Sequence, residues 1–210
     1  MRCSRVSVDT YFYETRLGHG LAHDPFKAIL APRPIGWIST IDQSGVVNLA
    51  PYSFFNGFNS APAIVGFASE GRKDSVSNIE ANGEFVCNLA TRTLAEKVNA
   101  TSAPVARDID EMQLAGLASA PSRLVRPPRV AESPAAFECK LVQLMPLRDM
   151  DGNELDTFLI LGQVVGVHID PAYLVDGRFD TVAAGPIARC GYRGDYAEVT
   201  ALFEMLRPTS

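Results

Sequence analysis

The run Gly71-Arg72-Lys73-Asp74-Ser75 brings two cations and a hydroxyl to the junction of a strand-like and a helix-like stretch. Free backbone N–H groups at a helix start, the positive end of the helix dipole, a guanidinium and an ammonium together suit a phosphate. The same residues also describe a solvated loop with Ser75 as an N-cap, since many helices begin this way. A second segment, Asn48-Leu49-Ala50-Pro51-Tyr52-Ser53-Phe54-Phe55-Asn56, sets small polar side chains beside aromatic rings. It could frame a planar ligand, with backbone N–H groups at the ligand's edge, or be an edge strand leaving the core with two buried phenylalanines.

Other chemistry is excluded by what the sequence lacks. There is no GxGxxG after a strand, no GxxxxGK[ST] and no GxSxG. Three histidines, His19, His23 and His168, are too dispersed to suggest a metal centre, and none is expected. The four cysteines, Cys3, Cys87, Cys139 and Cys190, form no CxxC pair, and Cys87 and Cys139 sit in strand-like runs as small hydrophobes. A reducing cytoplasm fits them. A net charge of −5 argues against a nucleic-acid surface. Arg2, Arg5 and Asp9 interrupt the first residues before any apolar run, so no secretory leader is expected. The longest apolar stretch, Phe158 to Val167, is too short to span a bilayer as a helix, and a soluble protein is expected.

The elements that must position these groups read as mostly β. The 210 residues, 47% apolar, suit one domain with a real core, and 16 Gly with 14 Pro imply many turns. Residues 1–10 read as a flexible extension, residues 11–210 as the domain, and Tyr11–Pro25 as a structured loop. Strands are expected over Ile35–Ile41 and Val46–Tyr52, joined by the turn Asp42-Gln43-Ser44-Gly45, with Pro51 at an edge or ending its ladder. Further strands are Ala63–Ala68 and Phe85–Leu89. Between them lies a helix over Ser75–Ala81, closed by Gly83. A second helix covers Leu94–Ala100. Residues 103–134 form a long surface excursion with at most one helical turn, near Asp110–Leu114. Two long strands, Ala136–Met145 and Thr157–Ile169, flank a hairpin turn at Asp149–Asn153. Val199–Leu206 reads as a short helix or strand. Short helices inserted among six or more strands suggest a closed antiparallel barrel.

Several of these blocks, taken in order and spacing, resemble one known family. They are Pro32-Arg33-Pro34-Ile35-Gly36-Trp37-Ile38-Ser39-Thr40, Gly45, Asn48 to Asn56, Lys73-Asp74-Ser75, Asn78-Ile79 and Phe85-Val86-Cys87-Asn88-Leu89. Together they resemble the flavin reductase-like family of FMN-binding split barrels, over about Tyr11 to Pro208. The lead-in Gly18 to Ala28 and the segment Arg189 to Tyr196 resemble one branch of it.

The resemblance implies a mainly β fold, an FMN-binding split β-barrel with short inserted helices. It implies a homodimer that holds FMN, with FAD as the alternative, in a cleft near the subunit interface. Arg72, Lys73 and Ser75 would hold the phosphate. Thr40, Ser53, Phe54, Phe55 and Asn56 would line the ribityl chain and ring, with Ser69 and Asn88 near the same cleft. His168, near the end of a long strand, is the catalytic candidate, placed to approach the nicotinamide or the flavin; a satisfied surface histidine is the competing reading. Trp37 reads as core. The implied activity is hydride transfer from NAD(P)H to flavin and on to oxygen, a metal complex or a partner monooxygenase. The alternative is a flavin-binding electron carrier without its own NAD(P)H turnover. The flavin carries the chemistry, so no triad or carboxylate pair is needed.

Overall fold

A computed structural model describes residues 9–208. In chain order its strands are β1 (Arg33–Pro34), β2 (Gly36–Ile41), β3 (Val47–Tyr52), β4 (Phe55–Ser60), β5 (Ala63–Glu70), β6 (Glu84–Leu89), β7 (Ser119–Ala120), β8 (Arg129–Val130), β9 (Ala135–Arg148), β10 (Glu154–Ile169), β11 (Leu174–Val175), β12 (Arg178–Phe179), β13 (Ile187–Arg189) and β14 (Tyr196–Glu198). Five short helices intervene: α1 (Phe26–Ile29), α2 (Asp74–Asn82), α3 (Ala95–Ala100), α4 (Glu111–Leu114) and α5 (Thr181–Ala184).

Seven strands form one antiparallel sheet in the order β3-β2-β6-β9-β10-β5-β4. Its two edge strands, β3 and β4, are consecutive in the chain and separated only by Ser53 and Phe54. The sheet therefore curls until its edges approach. Ala68 donates its N–H to the Phe54 carbonyl at 2.8 Å, and the Tyr52 and Phe67 rings lie 4.5 Å apart. Gly36 is needed at this closure, because a Cβ there would stand 2.5 Å from the Phe55 ring.

The barrel interior is filled by Ile38, Phe67, Phe85, Cys87, Cys139 and Ile160, and by Val76 and Ile79 from α2. Each fully buried phenylalanine contributes roughly 1.5–3 kcal/mol. On the other face of β2, Trp37 packs with Leu94, Val98 and Met112, and its indole N–H donates to Thr101 Oγ1 at 2.9 Å. Trp37 is thus core, as expected. With both faces covered, β2 shows no polar alternation.

The expected strands and helices are present, and the β9–β10 hairpin is longer than its sequence signal at both arms. The helical turn near residues 110–114 is α4. Three segments differ from expectation. The helix α2 starts at Asp74 with Lys73 as its N-cap residue and no capping side chain; Ser75 lies inside the helix, while Gly83 closes it at φ 70° as anticipated. Phe55–Ser60, where no strand was expected, is a strand because it has the exposed edge of β5 to pair with. Val199–Leu206 has no regular structure; the last strand is β14 instead. Of the expected extension, residues 1–8 lie outside the described residues. Among the described residues no helix is long and apolar enough to cross a membrane.

Candidate functional site

The outer edge of β3 builds the floor of the site. Leu49 N–H points away from β2, because it donates to Glu111 Oε2 at 3.0 Å. Residues 47, 49 and 51 therefore share the outward phase of an edge strand. Pro51 falls in that phase, where its missing N–H costs no ladder bond. A cleft of about 480 Å³ lies along this edge, lined by Asn48, Tyr52, Arg72, Lys73, Ser75 and Glu111, with Thr101 to Val105 as its far wall. The volume is that of a small-molecule site.

The uncapped start of α2 opens into this cleft, so its leading N–H groups and the dipole's positive end are available to an anion. Beneath it runs a buried polar chain. Asn48 Nδ2 donates to Ser75 Oγ at 2.8 Å and to Thr40 Oγ1 at 3.2 Å. Asn78 Nδ2 donates to the same Thr40 oxygen at 3.1 Å, and Arg107 Nη2 donates to Asn78 Oδ1 at 3.1 Å. These bonds fix the Ser75 hydroxyl and the first turn of α2 against β3. The Tyr52 hydroxyl is buried close to the Ser75 and Ser69 hydroxyls, with no well-aligned hydrogen bond to either or to any other described residue. Burial pushes its phenol up, with Ser75 and Ser69 pulling the other way. A buried hydroxyl left unpaired is costly. An oxyanion or polyol in the cleft is the kind of group that would satisfy it.

Of the sequence candidates, Arg72, Lys73 and Ser75 come together at this cleft. Arg72 is already engaged: it pairs with Glu80 and lies 4.8 Å from the Phe158 ring centroid. Thr40 is fully buried one layer below, and Ser69 is buried with its hydroxyl donating to the Gly71 carbonyl at 3.0 Å, shaping the anion loop. Ser53 lines an adjoining cleft that meets the first at Pro51 and Ser102. Phe54 lies under Lys27 and Arg33, each 5.7 Å from its centroid. Phe55 faces a separate apolar hollow with Cys87 and Phe137, and Asn56 is exposed, its amide oxygen bound to Gly57 N–H.

Asn88 and His168 also lie outside this cleft. Asn88 is a buried pin: it donates to the Trp37 carbonyl at 3.0 Å and accepts from Val130 N–H at 2.8 Å, tying the excursion to the barrel. His168 is not at the cleft. Its Nε2 bonds Glu138 Oε1 at 2.5 Å, and Glu138 also accepts from Arg123 and Leu124 N–H. Burial alone would raise the Glu138 carboxyl, but His168 and the two N–H groups outweigh it and hold the carboxyl below its usual value. The pair anchors the excursion.

Sequence reasoning missed Arg107 and Glu111, and named Tyr52 only within the Asn48–Asn56 segment, with no role of its own. Arg107 Nη1 pairs with Asp74 at 3.2 Å at the start of α2. Glu111 is raised above an ordinary carboxyl chiefly by burial, partly offset by the Leu49 N–H. Both come from the excursion, whose tertiary position no local pattern reveals.

A model described as the flavin reductase like domain matches residues 30–183, and the chain belongs to that family. It is 36% identical to an uncharacterized protein of Deinococcus radiodurans, over 95% of this chain and 90% of that one. Among solved structures, it is similar to nitrilotriacetate monooxygenase component B from Bacillus cereus: TM-score 0.81, 25% identity, covering 97% of this chain and 100% of that one. It shares the fold of 2-nitrobenzoate 2-nitroreductase from Pseudomonas fluorescens, with TM-score 0.81 and 24% identity over 95% and 97% of the two chains.

Proposed function

We propose that the protein is an FMN-dependent oxidoreductase that takes hydride from NAD(P)H. The observation that carries this reading is the uncapped start of α2 beside Lys73, opening into the cleft that also holds the unpaired Tyr52 hydroxyl. The residues fit FMN. Lys73, Arg72 and the first-turn N–H groups would hold its phosphate, and Ser75 and Tyr52 offer hydroxyls below. Ser53 and the β3 edge would border the ring. When bound, FMN supplies hydride acceptance from the nicotinamide and its delivery onward.

The chain's own part is positional. The Thr40–Asn48–Asn78–Ser75 network locks the anion end, and the wall from Thr101 to Val105 narrows access from solvent. No proton donor is required of His168. Likeness to a monooxygenase component B supports a partner oxygenase as the recipient of reduced flavin. Exposed apolar side chains at Leu202, Phe203, Met205 and Leu206 support a homodimer that covers them.

The test is the absorbance spectrum of the purified protein with FMN, recorded before and after NADH and NADPH. Bleaching of the flavin bands by either nucleotide is expected. Tight FMN binding with no bleaching would make the protein a carrier, and absence of FMN binding would refute the reading.

A further inference from the structure

We propose that the unpaired end of β10 receives the C-terminal segment of a second copy of this chain as an added strand. The proposal deepens the homodimer reading above and rests on it, but not on the flavin. β10 pairs with β9 from Glu154 to Ile169, yet with β5 only from Thr157 to Gln163. From Val164 to Ile169 its other edge has no strand beside it among the described residues. Asp170 N–H donates to the Pro134 carbonyl at 2.9 Å, on the β9 side. Alternation therefore turns the N–H and C=O groups of Val167 and Ile169 the other way, where no backbone partner meets them among the described residues. Such an edge is a template for a further strand.

The two faces beside this edge differ. Val167, 56% exposed, and Ile169 line the apolar hollow of about 290 Å³ together with Phe55, Phe137 and Phe179. On the opposite face, Gly166 and His168 border a second hollow with Arg123 and Leu124. Glu138 is spent there on His168 and on the Arg123 and Leu124 N–H groups. The exposed Arg123 side chain has no carboxylate partner among the described residues.

The segment after β14 matches both faces. Its last backbone bond among the described residues runs from Val199 N–H to the Pro186 carbonyl at 3.0 Å. Beyond it Leu202, Phe203, Met205 and Leu206 are 69%, 85%, 82% and 81% exposed, so their own chain leaves them uncovered. As a strand, Leu202-Phe203-Glu204-Met205-Leu206 turns Phe203 and Met205 to one face and Leu202, Glu204 and Leu206 to the other. Phe203 and Met205 suit the phenyl-lined hollow. Glu204, which has no cation partner among the described residues, suits Arg123, and its flanking leucines suit Leu124. One chain carries both strand and seat, so a two-fold axis closes the exchange with two identical contacts.

The test measures the dimer Kd of the full chain by sedimentation equilibrium, and hydrogen exchange over Val164–Ile169. The wild type is expected to dimerise without FMN, with the Val167 and Ile169 amides protected. Phe203→Ser/Met205→Ser should raise Kd by at least about a hundredfold and make those amides exchange fast. Val167→Pro, which removes only an outward N–H, should raise Kd about tenfold. Arg123→Glu and Glu204→Arg should each weaken the dimer about tenfold, and together return it to within about threefold of wild type. That rescue also shows that the single variants fold. A dimer indifferent to Phe203→Ser/Met205→Ser, or charge reversals that do not rescue each other, overturns the strand exchange and leaves the homodimer reading intact. A monomeric wild type overturns both, even if the chain's own segment protects the edge. Loss of FMN binding with these results as expected would refute the flavin reading and leave this seat standing.

Discussion

Replacing Lys73 and Arg72 by alanine, one at a time, separates the phosphate contact from every other contribution to flavin binding. A charge-assisted hydrogen bond is worth roughly 1.5–3 kcal/mol. Lys73 is exposed at the mouth of the cleft, so solvent and salt screening place it at the low end, about 1.5 kcal/mol, or about tenfold in Kd. Arg72 must first leave Glu80 and the Phe158 ring. An exposed ion pair is worth about 0–1 kcal/mol and an exposed cation–π contact about 0.5–1. Its net contribution is therefore smaller, about threefold. Lys73→Ala should accordingly weaken FMN more than Arg72→Ala does, and neither should alter riboflavin, which has the ring and ribityl chain but no phosphate. Glu80→Gln frees Arg72 and should tighten FMN by a few fold. Flavin fluorescence titration at two salt concentrations reads all of these, with the Lys73 effect shrinking at high salt. Equal losses for FMN and riboflavin, or no loss of FMN in either variant, would place the phosphate elsewhere.

Three further outcomes follow from the same geometry. Glu111 has its carboxyl raised by burial, so the folded state holds that proton more tightly and loses stability as pH climbs through the raised value. Glu111→Gln keeps an acceptor for Leu49 N–H, and should raise Tm near neutral pH by about 2–4 °C, equivalent to about 1 kcal/mol, while tightening FMN slightly; a lower Tm would refute this. Glu138 is shifted the other way, so its contribution is complete above the usual carboxyl range and fades as pH falls through its lowered value. His168→Ala should cost about 1–3 kcal/mol of stability and leave NADH oxidation unchanged, whereas a tenfold drop in turnover at unchanged Tm would restore His168 to the reaction. Gly36→Val drives a methyl group into the Phe55 ring and should cost at least about 1–3 kcal/mol by denaturant unfolding; wild-type stability would mean the edges close differently.

Most of the fold was legible because its signals are local. The turn at Asp42–Gly45, the Asp149–Asn153 hairpin and Gly83 behind α2 each act through neighbouring backbone. Edge strand β4 was not legible, since Phe55–Ser60 carries an Asn-rich, exposed pattern that pairs only because β5 offers a free edge. The anion loop could be read from residue types alone. The groups that complete it could not: nothing local set Tyr52 apart from its neighbours in the Asn48–Asn56 segment, while Arg107 and Glu111 arrive on an excursion whose path is set by distant pins at Asn88 and Glu138.

His168 shows how a local change of register decides what a side chain near a strand end will face. Along β10, Ile160, Gly162 and Val164 point to the barrel interior, and strict alternation would send residue 168 there as well, toward the core. The register breaks between Val164, opposite Cys139, and Gly166, opposite Glu138. Val165 and Gly166 together face one residue of β9, and this bulge moves Gly166 and His168 to the outer face. Cys139 points inward and Glu138 outward on the partner strand, so His168 meets a buried carboxylate on the outer face rather than the barrel interior. A single extra residue thus brings His168 to Glu138 and so ties β10 to the excursion, a placement that depends on the register with β9 and not on residue type alone.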